Sequence, residues 1–261
     1  MNFRTIALTA AATAIVAACG SGAATRAPAS AAPDVAAPSA APSDDMSMPP
    51  TASTSPSDGA VVVDSPAADL RTNLNLALGE HIIFASKATG AALGGRADEF
   101  AAYGELLNKN GTDIGAVIGA AYGDEAKDAF NKIWSAHNGF FVDYTTGVAT
   151  KDKTETDKAV QDLTTVYVPQ FAELISGATG LPKDAVTQLT TEHVLQTKAI
   201  VDAQAKGDWK AAYAAIRTAY AHMQMIGDAI APAVVAKFPD KFAGDPSNKG
   251  VDLRVALNQL L

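Results

Sequence analysis

The stretch EHIIFASKATGAALGG, residues 80–95, decides the fold, because it returns 112 residues later as EHVLQTKAIVDAQAKG, residues 192–207. Midway between them lies AHNGFFVDYTTGVATK, residues 136–151. His81, His137 and His193 hold the same place in the three stretches, 56 residues apart. A fixed period of this length marks a repeated supersecondary unit. The match between the first and third units extends to Ile114-Gly115 over Ile226-Gly227 and to Ile118 over Ile230. The middle unit follows the first helix without a gap and the second helix with about one inserted residue.

Working outward, each unit reads as two helices with a short break. The breaks fall at Gly94-Gly95, at Thr150-Lys151-Asp152 and at Lys206-Gly207-Asp208. Asp152 and Asp208 suit N-caps, since a short carboxylate can accept from the free N–H groups of a first turn. The units join near Tyr122-Gly123-Asp124 and Gly180-Leu181-Pro182, where Pro182 suits the start of a helix. Asp69-Leu70-Arg71 echoes Asp252-Leu253-Arg254, and residues 251–261 read as a short C-terminal helix after a loop from Gly244 to Gly250. No stretch after Leu70 keeps the two-residue alternation of a strand. The expected fold is all-α: three repeated helical hairpins, six main helices, packed as one bundle-like domain over residues 69–261.

The N-terminal quarter has another character. One positive charge, Arg4, precedes an apolar run from Ile6 to Val16, which is too short for a permanent membrane span. Val16-Ala17-Ala18-Cys19 then resembles the lipobox of bacterial lipoproteins. That resemblance implies a signal peptide over residues 1–18, cleavage before Cys19, and a diacylglycerol thioether on Cys19, with acylation of the new amine in many bacteria. Cys19 is the only cysteine of the chain, so intrachain disulfides and thiolate metal sites do not arise. More than one acyl chain would anchor the protein durably at the cell membrane or outer membrane, with the domain outside the cytoplasm. Residues 19–68 form an Ala-, Pro- and Ser-rich linker that cannot bury enough apolar surface to order itself. Met46 and Met48 within it are soft donors, but in this setting they read as ordinary linker residues.

The net charge of −8 speaks against a nucleic-acid partner, which would call for a basic patch. Chemistry concentrates on the four histidines, all of them in the helical region. His81 shares a four-and-three-spaced stripe with Leu74, Leu78, Ala85, Ala88 and Ala92. His137 shares one with Phe130, Trp134, Phe141, Tyr144 and Val148. His193 follows Val186 and Leu189, and His222 lies between Ala219 and Ile226. Such stripes face a core, so all four imidazoles should point inward. Two readings stay open. Each imidazole could satisfy itself locally on a carbonyl or a nearby side chain. Alternatively His81, His137 and His193 converge on a transition metal or haem, with His222 or water as a further ligand. The repeat implies equal depth along the three helices, but not a shared azimuth. Glu80 and Glu192 precede their histidines by about 100° of helix rotation, so at best they would hydrogen-bond a ligating imidazole from behind, as Tyr144 and Asp143 could.

Several patterns are absent. No Glu-x-x-His, His-Glu-x-x-His, Gly-x-Ser-x-Gly, P-loop or dinucleotide fingerprint occurs, and no serine sits in a nucleophile context. Met223 and Met225 beside His222 read as core filler. Asn110-Gly111-Thr112 has sequon form, which a bacterial lipoprotein would not use. From the early Glu-His, the aromatic run Phe130 to Tyr144 around a His, and the ending Phe238-Pro239-Asp240-Lys241-Phe242, the region 70–243 resembles a group of exported bacterial helical domains. Some of these are fused to modules of copper-amine-oxidase N-terminal type. The resemblance implies location and fold and supplies no activity. The expected function is a non-catalytic surface lipoprotein whose domain binds an envelope protein or wall component, or acts as a scaffold. The alternative is a metal- or haem-binding domain for storage, sensing or transfer.

Overall fold

The computed structural model describes residues 63–258. The signal segment, Cys19, Met46 and Met48 lie outside the described residues. The described chain is all-helical, with no strand. Helices α1 (Pro66–Leu93), α2 (Ala97–Tyr122) and α3 (Asp124–Thr150) are followed by α4 (Lys153–Asp162), a π-helical turn over Leu163–Tyr167, and α5 (Val168–Thr179). Then come α6 (Lys183–Ala205), α7 (Trp209–Lys237) and a short α8 (Lys249–Asn258). No described helix is long and apolar enough to cross a membrane.

The turns after α1, α3 and α6 share one backbone geometry. A single residue in each takes the left-handed conformation: Gly95 (φ 68°), Lys151 (φ 60°) and Gly207 (φ 68°). The next N–H reaches back to the carbonyl five residues earlier, Arg96 to Ala91 at 2.9 Å, Asp152 to Gly147 at 2.8 Å and Asp208 to Ala203 at 3.0 Å. This is the Schellman closure, which satisfies carbonyls that a helix end would otherwise leave open. Glycine adopts the conformation freely, whereas Lys151 carries a Cβ into it. The following helices start on Asp152, whose carboxylate accepts from Glu155 N–H at 3.1 Å, and on Asp208, which accepts from Ala211 N–H at 3.0 Å. Arg96 stands in the equivalent place and makes no side-chain cap bond.

Helix α1 begins at Pro66, earlier than the periodicity at Leu70 suggests. Ser65 caps it by accepting from Ala68 N–H at 3.2 Å, and Pro66 takes a first-turn position where its missing N–H costs nothing. Ala67 and Ala68 therefore belong to the domain rather than to the linker, and both are fully buried. Ala68 packs with Val251 and Val255 of α8. Arg71 ties the same end together, bonding Asp228 at 2.7 Å, Asp252 at 2.6 Å and the Pro246 carbonyl at 2.9 Å.

A π-helical turn interrupts the helical run between Lys153 and Thr179. Val168 N–H bonds the Leu163 carbonyl, five residues back rather than four. A helix widens in this way when it must hold one residue more. The buried residues Ala159, Leu163, Tyr167, Phe171 and Ile175 recur at steps of four. In a regular α-helix such a series drifts by about 40° per step, and the wider turn helps keep it on one face.

Helices α1, α3 and α6 touch one another pairwise, and they carry the three histidines. Each histidine lies 14 residues before the left-handed residue of its turn. At 1.5 Å rise per residue this sets all three about 21 Å from their turns. Polar bonds lock these helices together further along: Thr89 donates to Gln204 at 2.8 Å, Gln204 donates to the Ser86 carbonyl at 2.8 Å, and Tyr144 donates to Asp202 at 2.6 Å.

Candidate metal centre

His81, His137 and His193 meet in the middle of the core. Their ring centroids stand 5.3, 5.9 and 6.0 Å apart. One ring nitrogen from each can be chosen so that all three lie within 4.8 Å of one another. The rings are 2%, 0% and 2% exposed. Three nitrogens held by a single ion at about 2.0–2.1 Å in a tetrahedral frame stand roughly 3.4 Å apart. To reach that frame the present spacing needs an inward shift of about 1 Å.

The hydrogen bonds define which nitrogens are free. His137 Nδ1 lies 2.7 Å from the Trp134 carbonyl of its own helix, which makes Nδ1 the donor and directs the Nε2 lone pair into the cluster. His137 Nε2 has no partner, nor has His81 Nδ1, nor either nitrogen of His193. The Trp134 indole N–H beside them is also unpartnered, so five of the ten described buried polar atoms without a hydrogen bond gather at this place. Each buried group left unsatisfied costs about 1–3 kcal/mol. Such a concentration of orphaned donors and acceptors sets this spot apart from the rest of the described core.

The walls are aromatic. Trp134 lies 4.7 Å from both His81 and His137, Tyr167 stacks on His137 at 4.6 Å, and Phe141 stands edge-on to His137 and His193. Gly111 makes room for Trp134, since a Cβ there would sit 2.7 Å from the indole Cδ1. A cavity of about 10 Å³ beside His193, lined also by Trp134, Tyr167, Thr190 and Met223, is room for about one water. A second of about 40 Å³ opens on the His81 side. Both are far below the roughly 300–1,000 Å³ of a typical small-molecule pocket, so a porphyrin would have to displace the core.

Burial sets the protonation state. Desolvation, reinforced by its two histidine neighbours, holds His81 well below the usual imidazole range. Desolvation brings His137 down to about 4, against the opposing pull of the Trp134 carbonyl. Desolvation and the proximity of His137 and His222 bring His193 to about 3. All three are neutral near pH 7, with lone pairs ready for a Lewis acid, because metals bind the deprotonated imidazole.

The other sequence candidates lie elsewhere. His222 is buried, but its Nε2 is spent on the Leu189 carbonyl at 2.8 Å, and it does not belong to the three-nitrogen group. Glu192 is exposed and accepts from Gln196 at 2.9 Å. Glu80 is also exposed, yet it accepts from the Asn110 amide at 2.9 Å, and Asn110 in turn lies beside His81. Tyr144 bonds Asp202, and Asp143 faces solvent. Two residues that matter escaped the sequence reading. Asn110 is 1% exposed, and its Nδ2 is fixed by Glu80 and the Ala77 carbonyl, which leaves Oδ1 without another partner. Its signal was its place on the inward stripe with Ile114 and Ile118. Tyr167 was concealed by the π turn, which breaks the period that reveals core positions. The chain matches no protein-family model, no curated protein and no solved structure.

Proposed function

We propose that this protein is a lipid-anchored envelope protein whose helical domain holds one transition-metal ion on His81, His137 and His193, for sensing or transfer at the cell surface. The observation that carries the reading is the convergence of four unpartnered imidazole nitrogens in a single enclosed spot. Histidines kept only for packing would each be satisfied locally, as His222 is. Imidazole donors suit zinc, copper, iron and nickel rather than magnesium or calcium. A catalytic role is not part of the proposal, because the cavities beside the histidines, about 10 and 40 Å³, are too small for substrate-sized molecules. The three-hairpin repeat belongs to the same proposal. Duplication of a hairpin bearing one inward His supplies three ligands at equal depth, and the common turn geometry at Gly95, Lys151 and Gly207 supports it.

The test is elemental analysis of protein exported in its native compartment, with His137→Ala alongside. About one equivalent of a transition metal, lost in the variant, is the expected result. Absence of metal in the exported protein, together with no saturable 1:1 uptake of zinc, cobalt, nickel or copper by the metal-free chain, overturns the reading. A docking role for an envelope protein or wall component is favoured by a separate observation. Trp209 and Tyr213 are 55% and 64% exposed beside a groove of about 110 Å³. Large aromatics held in water are characteristic of recognition surfaces.

A further inference from the structure

We infer that the ion held by His81, His137 and His193 is monovalent copper, bound with the thioether of Met223 at hand; this rests on the metal-site reading above. The argument begins with charge. All three donors are neutral, and the donor group contains no carboxylate or thiolate. Glu80 is exposed and reaches His81 only through Asn110, while Glu192 and Asp143 face solvent. An ion seated here keeps its full charge inside a wall of Trp134, Phe141, Tyr167 and aliphatic side chains. The self-energy of a buried ion rises with the square of its charge, so a divalent ion costs about four times as much as a monovalent one of similar size.

Coordination number points the same way. A zinc ion on three histidines takes water as its fourth ligand, and that water needs space and its own hydrogen bonds. The cavity on the His193 side holds about 10 Å³, and its wall is apolar apart from Thr190, His193 and the Tyr167 and Trp134 polar atoms. Thr190 donates to the Val186 carbonyl at 2.7 Å, so its hydroxyl hydrogen is already committed. Monovalent copper is d10 and is stable with three donors or with three and a weak fourth. Met223, 1% exposed, is one of the residues that line this cavity with His193, and its thioether is a soft donor suited to monovalent copper. Sequence alone reads Met223 as filler; the structure places it on the wall of the cavity beside His193.

The test uses the full chain carrying Cys19→Ser, because an unlipidated thiol is itself a copper ligand. Under anaerobic conditions the metal-free protein is titrated into the monovalent-copper complex of a chromophoric chelator, and in parallel into a zinc complex of matched affinity. The expected result is withdrawal of one equivalent of copper, none of zinc, and a copper-dependent rise in melting temperature. Met223→Leu, which conserves volume, should weaken copper uptake about tenfold and leave the melting temperature of the metal-free protein within a few degrees. X-ray absorption at the copper edge, which needs no variant, should show a nitrogen shell with one sulfur scatterer. Zinc or cobalt bound in preference to copper, and lost on His137→Ala, overturns monovalent copper while leaving the metal site intact. Uptake of none of these metals overturns both. Copper binding unaffected by His137→Ala, in a variant that remains helical by circular dichroism, also overturns the assignment.

Discussion

His81, His137 and His193 are the residues through which acid acts on the fold. In the unfolded chain an imidazole titrates near 6.5. In the fold, burial lowers His137 to about 4 and His193 to about 3. Between those values and 6.5 the unfolded state binds the extra protons, so stability falls as pH drops through that window and is fully present above it. At 1.36 kcal/mol per unit, His137 alone removes about 3 kcal/mol by pH 4, a large share of a typical domain's 5–15 kcal/mol. The metal-free protein should therefore melt at a sharply lower temperature at pH 4.5 than at pH 7.5. A melting temperature flat across that range would mean that the imidazoles are solvated. Asn110 carries a second prediction at this scale. Its Oδ1 faces His81 with no competing bond, which suits it to accept from one ring nitrogen and present the other to an ion. Asn110→Leu should weaken metal binding by about 10- to 100-fold, the usual effect of losing such a support, with helicity retained by circular dichroism.

At the scale of elements, the three equivalent turns form a natural experiment. Lys151 occupies the left-handed conformation that Gly95 and Gly207 occupy in the other two. Lys151→Gly should stabilise by about 0.5–1 kcal/mol, and Gly207→Ala should destabilise by a similar amount, because a Cβ disfavours this conformation. Thermal melts of the two variants should thus move in opposite directions, by about 2–4 °C for a domain of this size. The π turn makes a more specific prediction. Deleting Val166, which is exposed, would let the helix close into regular α geometry and rotate the residues on one side of the turn by about 100°. Tyr167 would then leave the face of His137, where it stacks at 4.6 Å. The deletion should reduce metal affinity while the protein stays helical. Unchanged affinity would show that the widened turn has no part in the site.

At the scale of the whole molecule, the first turn of α1 and the C-terminal α8 close one end, and Arg71 is the clasp. Its side chain is 11% exposed and serves Asp228, Asp252 and the Pro246 carbonyl together. Arg71→Ala should cost about 1.5–3 kcal/mol, the range for hydrogen bonds to charged groups, and release α8 to protease ahead of the other helices. What the sequence determined by itself was the helical class and the punctuation. Helical periodicity, capping aspartates and turn glycines act within a few residues, so they remain legible without the fold. It also put His81, His137 and His193 at one depth, because a constant period preserves distance along a helix. It missed the start of α1 at Pro66, where alanine and proline resemble the linker until Ala243, Val251 and Val255 supply contacts. Whether the three imidazoles would meet was for the tertiary structure to decide. Azimuth depends on how α1, α3 and α6 pack, and that packing brings together residues distant in the chain, such as Thr89 with Gln204 and Tyr144 with Asp202. The exclusion of His222 was decided in the same way, by a carbonyl 33 residues away that no pattern in the sequence connects to it.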